Sequence, residues 1–244
     1  TVDYRISYAV FCLKKNTESL HTERLLRLLG GFIAYEVAEP PPPTAPLPCL
    51  SNGRITFGCF NNFAKVTPTT LRLWSAILAA VPNSHLLIKT RAMSDPPTRQ
   101  RLAKTLERLG ISPDRIEMSP FSNSYSEHLA TYGRLDIALD CFPYNGTATT
   151  CEALWMGVPV MSLTGRSHVS RVSASILAQV GLGHLAAETQ EEVVAAAVEL
   201  ASDVQGLRDL RSTMRDRLNA SSLMDMAGFV RRLEEAYRQA WQAW

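Results

Sequence analysis

The chain has 244 residues, 46% of them hydrophobic and 20% charged, with a net charge of +2. This is the composition of a soluble globular protein with room for one large or two small domains. It excludes a basic nucleic-acid surface, and no apolar run of about 18 residues is present to span a membrane. Five cysteines (Cys12, Cys49, Cys59, Cys141, Cys151) include no Cys-x-x-Cys pair, which argues against a disulfide framework or structural zinc and for a reducing, cytoplasmic setting.

In chain order, "VDYRIS" reads as a short strand and "TESLHTERLLRL" as a helix ending at Gly30 and Gly31. Residues 40–48, "PPPPTAPLP", cannot continue a helix or donate to a sheet ladder, and they favour an extended linker. The chain begins at Thr1, and its first fifty residues read as the end of a preceding domain plus this linker. From residue 51 the pattern becomes regular. Strand-like runs "RITFGCF", "HLLIKT", "RIEMSP", "DIALDCF" and "VPVMSL" alternate with helix-period segments near Pro68–Ala80, Thr98–Leu109, Ser124–Tyr132 and Thr149–Met156. Thr67 precedes Pro68 as an N-cap, and Ser124 with Glu127 has capping-box spacing. Further helices follow at about 170–180, 190–202, 206–219 and 225–243. The expected fold is a doubly wound, mostly parallel α/β sheet with C-terminal helices, over residues 51–244.

Two strand-to-helix loops carry candidate chemistry. "LDCFPYNGTATTCEALW" ends a strand at Asp140 and enters a helix through Gly146, Thr147, Ala148 and Thr149, with Glu152 one turn in. Free first-turn amides and the helix dipole suit an anion, and a carboxylate at Glu152 suits a ribose diol. The same letters also spell an ordinary capped helix start, so this turn alone leaves both readings open. "FGCFNNFAKVTP" is a second such loop, with Asn61, Asn62 and Lys65, and Lys65 is placed to reach a diphosphate held by the first. His128 follows a third strand and can face a nucleotide, although alone it reads as a surface histidine.

These stretches, with "VGLGHLAA", "LASDVQGLRDLRSTMRD" and "EEAYRQAW", resemble the protein O-glycosyltransferases that include O-GlcNAc transferase and the plant SPINDLY O-fucosyltransferase. The resemblance covers residues 51–244 closely and the preceding segment more loosely. It implies a GT-B enzyme of two Rossmann-like domains, of which this chain is the C-terminal, donor-binding one. It further implies that Lys65 neutralises the diphosphate as the catalytic cation, with Asn62 beside it. Gly146, Thr147, Ala148 and Thr149 hold phosphate oxygens, Glu152 the ribose, and His128 lines the nucleoside pocket. No metal cofactor is implied. The partners are a nucleotide sugar, a Ser/Thr protein acceptor, the missing catalytic domain and tetratricopeptide repeats of a longer parent. Thr147 stands where the animal enzyme has histidine, and the segment 119–128 is one residue longer than in that enzyme. "SYAVFCLKKN" replaces a usually more Asp- and Pro-rich stretch, and neither His21 nor His168 serves as a substitute base.

The implied reaction is inverting transfer of GlcNAc from UDP-GlcNAc to a protein hydroxyl. GDP-fucose as donor and a nucleotide-binding module inactive without its partner domain are the alternatives. A dehydrogenase is excluded because no G-x-G-x-x-G follows a strand. Asp140 and Glu152 form no supported glycosidase pair, and Asp140 reads as structure at the strand end.

Overall fold

The computed structural model describes residues 4–7, 24–37 and 40–243. Strands β1 (Tyr4–Ser7) and β2 (Arg24–Arg27) pair in parallel with Tyr4 opposite Arg24. The second corrects the helix expected over "TESLHTERLLRL". Arg24 to Arg27 carry two leucines between arginines, a run too short to fix either period, and pairing with β1 decides it. Residues 8–23, with Cys12, His21 and the start of that segment, lie outside the described residues.

A short α1 (Cys49–Asn52) leads into β3 (Thr56–Cys59), α2 (Pro68–Ala80), β4 (His85–Lys89), α3 (Pro96–Arg108) and β5 (Ile116–Ser119). Then come α4 (Tyr125–Thr131), β6 (Ile137–Leu139), α5 (Ala148–Trp155), β7 (Val160–Leu163), α6 (Val172–Gln179) and β8 (Ala186–Ala187). Helices α7 (Gln190–Ser202), α8 (Val204–Asn219) and α9 (Met226–Gln242) close the chain. The sheet has six strands in the order β5-β4-β3-β6-β7-β8, all parallel. Right-handed crossovers send α2 and α3 to one face and α5 and α6 to the other. Helix α7 then packs on α2, and α8 on α5. The expected doubly wound sheet is present, and the two-residue edge strand β8 is the element its sequence was too short to announce.

Local chemistry sets the helix starts. Thr67 accepts from the Thr70 amide at 3.2 Å with Pro68 in the first turn. Asp95 accepts from Thr98 N at 2.9 Å, so α3 starts two residues before the expected Thr98, its two prolines occupying positions whose amides have no helical partner anyway. Ser124 caps Glu127 N at 3.2 Å, but the Glu127 carboxylate takes the Asn123 amide, so half of the expected capping box forms. The core is apolar and continuous across the sheet, with Phe57, Trp74, Ile77, Leu86, Leu106 and Ile137 fully enclosed.

The proline run is extended and tightly held. Arg211 Nε, on α8, donates to the Ala45 carbonyl at 2.6 Å, and Arg215 Nη2 to that of Pro42 at 2.8 Å. Leu47 enters the core, and Tyr35 N donates to Leu223 O at 2.8 Å. Among the described residues no helix is long and apolar enough to cross a membrane.

Candidate functional site

The strand order reverses between β3 and β6. Their following helices leave on opposite faces, so the two loops part and leave a crevice at the carboxyl ends, where open α/β sheets bind ligands. These are the loops at 60–67 and 140–147.

Asp140, enclosed at the end of β6, organises the crevice. Its Oδ1 accepts from Gly146 N (2.7 Å), Cys141 N (2.8 Å) and Asn61 Nδ2 (3.2 Å), and its Oδ2 from Ser162 Oγ (2.9 Å). Burial raises its carboxyl above the ordinary range, and these donors pull it back. The sequence reading of Asp140 as a structural residue matches this geometry. Thr67 and Thr70 of the α2 start donate to the Phe142 carbonyl at 2.6 and 2.9 Å, fastening the loop to the other half of the sheet.

Around that frame the expected phosphate residues assemble. Lys65, in a short 3-10 turn (Phe63–Lys65), donates from Nζ to the Asn145 carbonyl at 2.9 Å and lies 4.2 Å from the Tyr144 ring centroid. Burial lowers its pKa, against the pull of Asp140. Asn62 is turned to a different task, because its side chain accepts from Ala64 N at 3.0 Å and caps that turn. At Gly146 the φ angle is not in the positive region. Its freedom is spatial: a Cβ would sit 2.6 Å from Thr149 Oγ1 and 2.7 Å from Thr150 Oγ1. Thr147 stands at the N-cap of α5 without making a side-chain capping bond, so the ordinary-cap reading fails there. The first amide bonded within the helix is that of Cys151, to Thr147 O at 3.0 Å, which leaves the amides of Ala148, Thr149 and Thr150 ahead of it. The Thr149 hydroxyl is committed, donating to Asn61 Oδ1 at 2.8 Å.

The other expected residues meet on the far side of α5. His128 is buried, 6% exposed, and not the surface histidine its local sequence suggests. Its Nε2 lies 3.0 Å from Glu152 Oε2, and its Nδ1 2.8 Å from Lys89 Nζ. Tyr132 Oη is 3.2 Å from the same Glu152 oxygen. Phe121 stacks on the imidazole at 5.6 Å and 21°, Tyr132 meets it edge-on at 5.5 Å, and Phe60 lies 6.1 Å away. Beside this cluster opens a groove of about 570 Å³ lined by Phe60, Asn62, Thr90, Arg91, Ala92 and Phe121. A second groove of about 540 Å³, at the amino ends of the strands by Thr56 and His85, contains none of these residues. Lys89, Tyr132 and Phe121 were missed in the sequence. A lysine closing the apolar run "HLLIKT" was the available signal.

Burial holds Lys89 down to about 8, outweighing the pull of the Glu152 and Glu127 carboxylates. The unfolded lysine titrates near 10.4, so between these values the unfolded chain binds more protons and this group makes stability rise with pH. We expect denaturant unfolding at pH 8 and 10 to show that rise, at most about 3 kcal/mol, and Lys89→Met to flatten it. An unchanged slope in the variant overturns the assignment.

Among the described residues no group of three or more His, Cys, Asp or Glu side chains is arranged to hold a metal ion. Cys49, Cys59, Cys141 and Cys151 are free thiols.

Comparison with known proteins agrees with this architecture. A protein of Hordeum vulgare named "Probable UDP-N-acetylglucosamine–peptide N-acetylglucosaminyltransferase SPINDLY" is 43% identical over 240 residues, covering 98% of this chain and 25% of that protein. The Caenorhabditis elegans protein named for the same activity is 30% identical over 194 residues, covering 79% and 16%. A mutant of the Thermobaculum terrenum O-GlcNAc transferase superposes with a TM-score of 0.90 at 37% identity, covering 99% of this chain and 45% of that structure. The sheet is thus of the Rossmann-like GT-B type, and the chain spans about a quarter of the length of the curated relatives it matches. Residues 47–233 match glycosyl transferase family 41, and the chain belongs to that family.

Proposed function

We propose that this chain is the donor-binding half of a protein O-glycosyltransferase, taking UDP-GlcNAc and passing GlcNAc to a Ser or Thr hydroxyl with inversion. What supports this reading is that Lys65 is bonded to the loop that opens α5, whose first amides precede the helical bonding, while the His128–Glu152 pair is held by the same helix one turn on. As the bond to the anomeric carbon breaks, negative charge grows on the departing diphosphate. Lys65 and the amides of Ala148 and Thr149 face that charge and stabilise it more than the ground state. The hydroxyl of Thr147, free of any capping duty, supplies a further donor. Glu152 holds the ribose and His128 the nucleoside side of the pocket. Deprotonation of the acceptor falls to the preceding catalytic domain of a longer cytoplasmic parent that also carries tetratricopeptide repeats. Lys65 and the helix start serve as counter-charge in place of a metal.

Calorimetric titration of the chain with UDP and GDP tests this directly. UDP is expected to bind preferentially near the micromolar range, roughly −7 to −8 kcal/mol, equally in EDTA and in magnesium. GDP preference would move the donor to GDP-fucose, and binding of neither would sink the reading of the crevice. Glu152→Ala should weaken UDP at least about tenfold, roughly 1.4 kcal/mol, and pyrophosphate hardly at all. Equal losses for both ligands would mean that Glu152 only supports the helix.

A further inference from the structure

Lys89 belongs to no role given so far. It closes β4, is 2% exposed, and its ammonium lies among rings, 5.2 Å from the Phe60 centroid and 5.7 Å from that of Phe121. A lone lysine at the end of a strand ordinarily points to water. This one is buried and meets a ring nitrogen at 2.8 Å, which calls for a reason.

Hydrogen-bond arithmetic supplies one. A protonated lysine has donors and no acceptor, so Nδ1 of His128 must accept from it. The neutral imidazole then carries its proton on Nε2, which faces Glu152 Oε2 at 3.0 Å and donates to it. The order Lys89, His128, Glu152 is therefore a directed chain with one consistent set of donors. Tyr132 Oη lies 3.2 Å from the same carboxylate oxygen. Both contacts fall on Oε2, so Oε1 is the oxygen left for a ligand hydroxyl. Without the ammonium, Nδ1 would lose the donor that faces it, and the ring could turn to exchange its nitrogens.

We propose that Lys89 is a positioning residue for the nucleoside: by donating to Nδ1 of His128 it fixes the Nε2–H tautomer, and through it the orientation of both the ring and the Glu152 carboxylate. This rests on the reading of the crevice as a nucleotide-sugar site. Lys89 acts on binding through its neighbours and contacts no reacting atom. It is held by elements 39 residues apart in sequence from His128, and the His128–Glu152 contact spans a further 24. The charged groups around it are Glu152 on α5, Glu127 on α4 and, across the Phe121 ring at 5.8 Å, Arg91.

The test is long-range proton–nitrogen NMR of the histidines in the 244-residue chain, assigned with His128→Gln, together with titration of UDP, GDP and pyrophosphate. In the wild type without ligand, the His128 ring is expected to carry its proton on Nε2 and to accept at Nδ1. Lys89→Met, which keeps the volume and removes the donor, should shift the Nδ1 resonance of His128 away from that of a hydrogen-bond acceptor. Its UDP or GDP dissociation constant should rise about tenfold, while that of pyrophosphate changes less than twofold. Lys89→Arg, which keeps a cationic donor, should retain the tautomer. An Nδ1–H or imidazolium His128 in the wild type overturns the proposal, as does a Lys89→Met variant with unchanged His128 signals and nucleotide affinity. If Lys89→Met does not fold, the wild-type tautomer decides alone. If the wild type binds no nucleotide, the functional reading fails, while the tautomer still reports on Lys89.

Discussion

Lys65→Ala is expected to weaken UDP binding about 10- to 150-fold, a loss of roughly 1.5–3 kcal/mol, the usual range for a hydrogen bond to a charged group. Lys65 is the one cation in the two crevice loops, and its Nζ is anchored on the Asn145 carbonyl at the mouth of the α5 start. The tether is a single neutral acceptor, so the side chain can turn to a diphosphate without breaking a salt bridge. In the free protein burial disfavours its charge, and a bound diphosphate would reverse that. The fold should be nearly indifferent to the change, because Lys65 lies in a surface turn capped by Asn62. Calorimetry on the variant, with its thermal melt as control, checks both halves. Undiminished affinity in a folded protein would remove Lys65 from the site.

The second large effect falls on stability. Asp140→Ala is expected to cost about 3–5 kcal/mol, because it strips one buried carboxylate from four donors at once. Two of these are the loop amides of Cys141 and Gly146, and a third, Ser162 Oγ, comes from β7. The loop should lose its shape along with the stability, so nucleotide binding should fall even at temperatures where the variant remains folded. Asp140→Asn keeps an acceptor oxygen but turns a donor toward a donor, and should lie between the two. Urea unfolding measures the series. A loss under 1 kcal/mol in Asp140→Ala would show that water replaces the carboxylate.

Much of this arrangement was legible before any coordinates. Alternating short apolar strands and capped helices specify a parallel sheet, and in such a sheet the loops that follow strands share one end. Lys65 and Gly146 to Thr149 therefore read as neighbours although they belong to distant parts of the sequence. What stayed hidden depended on side-chain direction. His128 reads as a surface residue in "SNSYSEHLA", because nothing local tells that α4 turns it toward α5. Lys89 carries no local signal of its role, because its partner arrives only when β4 and α4 are brought together in space. Asn62 caps a turn three residues long with its side-chain oxygen, a duty its sequence did not announce, while it also lines the groove. At 24–27 four residues were too few to distinguish a strand from a helix. The letters show which end of the sheet is chemical, and packing decides which of its polar groups are already spoken for.

The grip on the proline run has a mechanical side. Proline has no amide to offer but keeps its carbonyl, and the α8 guanidiniums take hold of that remaining group at Pro42 and at neighbouring Ala45. Such a hold is blind to side-chain identity, so the strap can drift in sequence and stay fastened. Arg215 also donates to the carbonyl of Trp155, the last residue of α5, at 2.9 Å. That helix is eight residues long, about 12 Å, and its other end is the crevice. Through one guanidinium the strap is thus buttoned to the back end of the helix whose front end opens on the crevice.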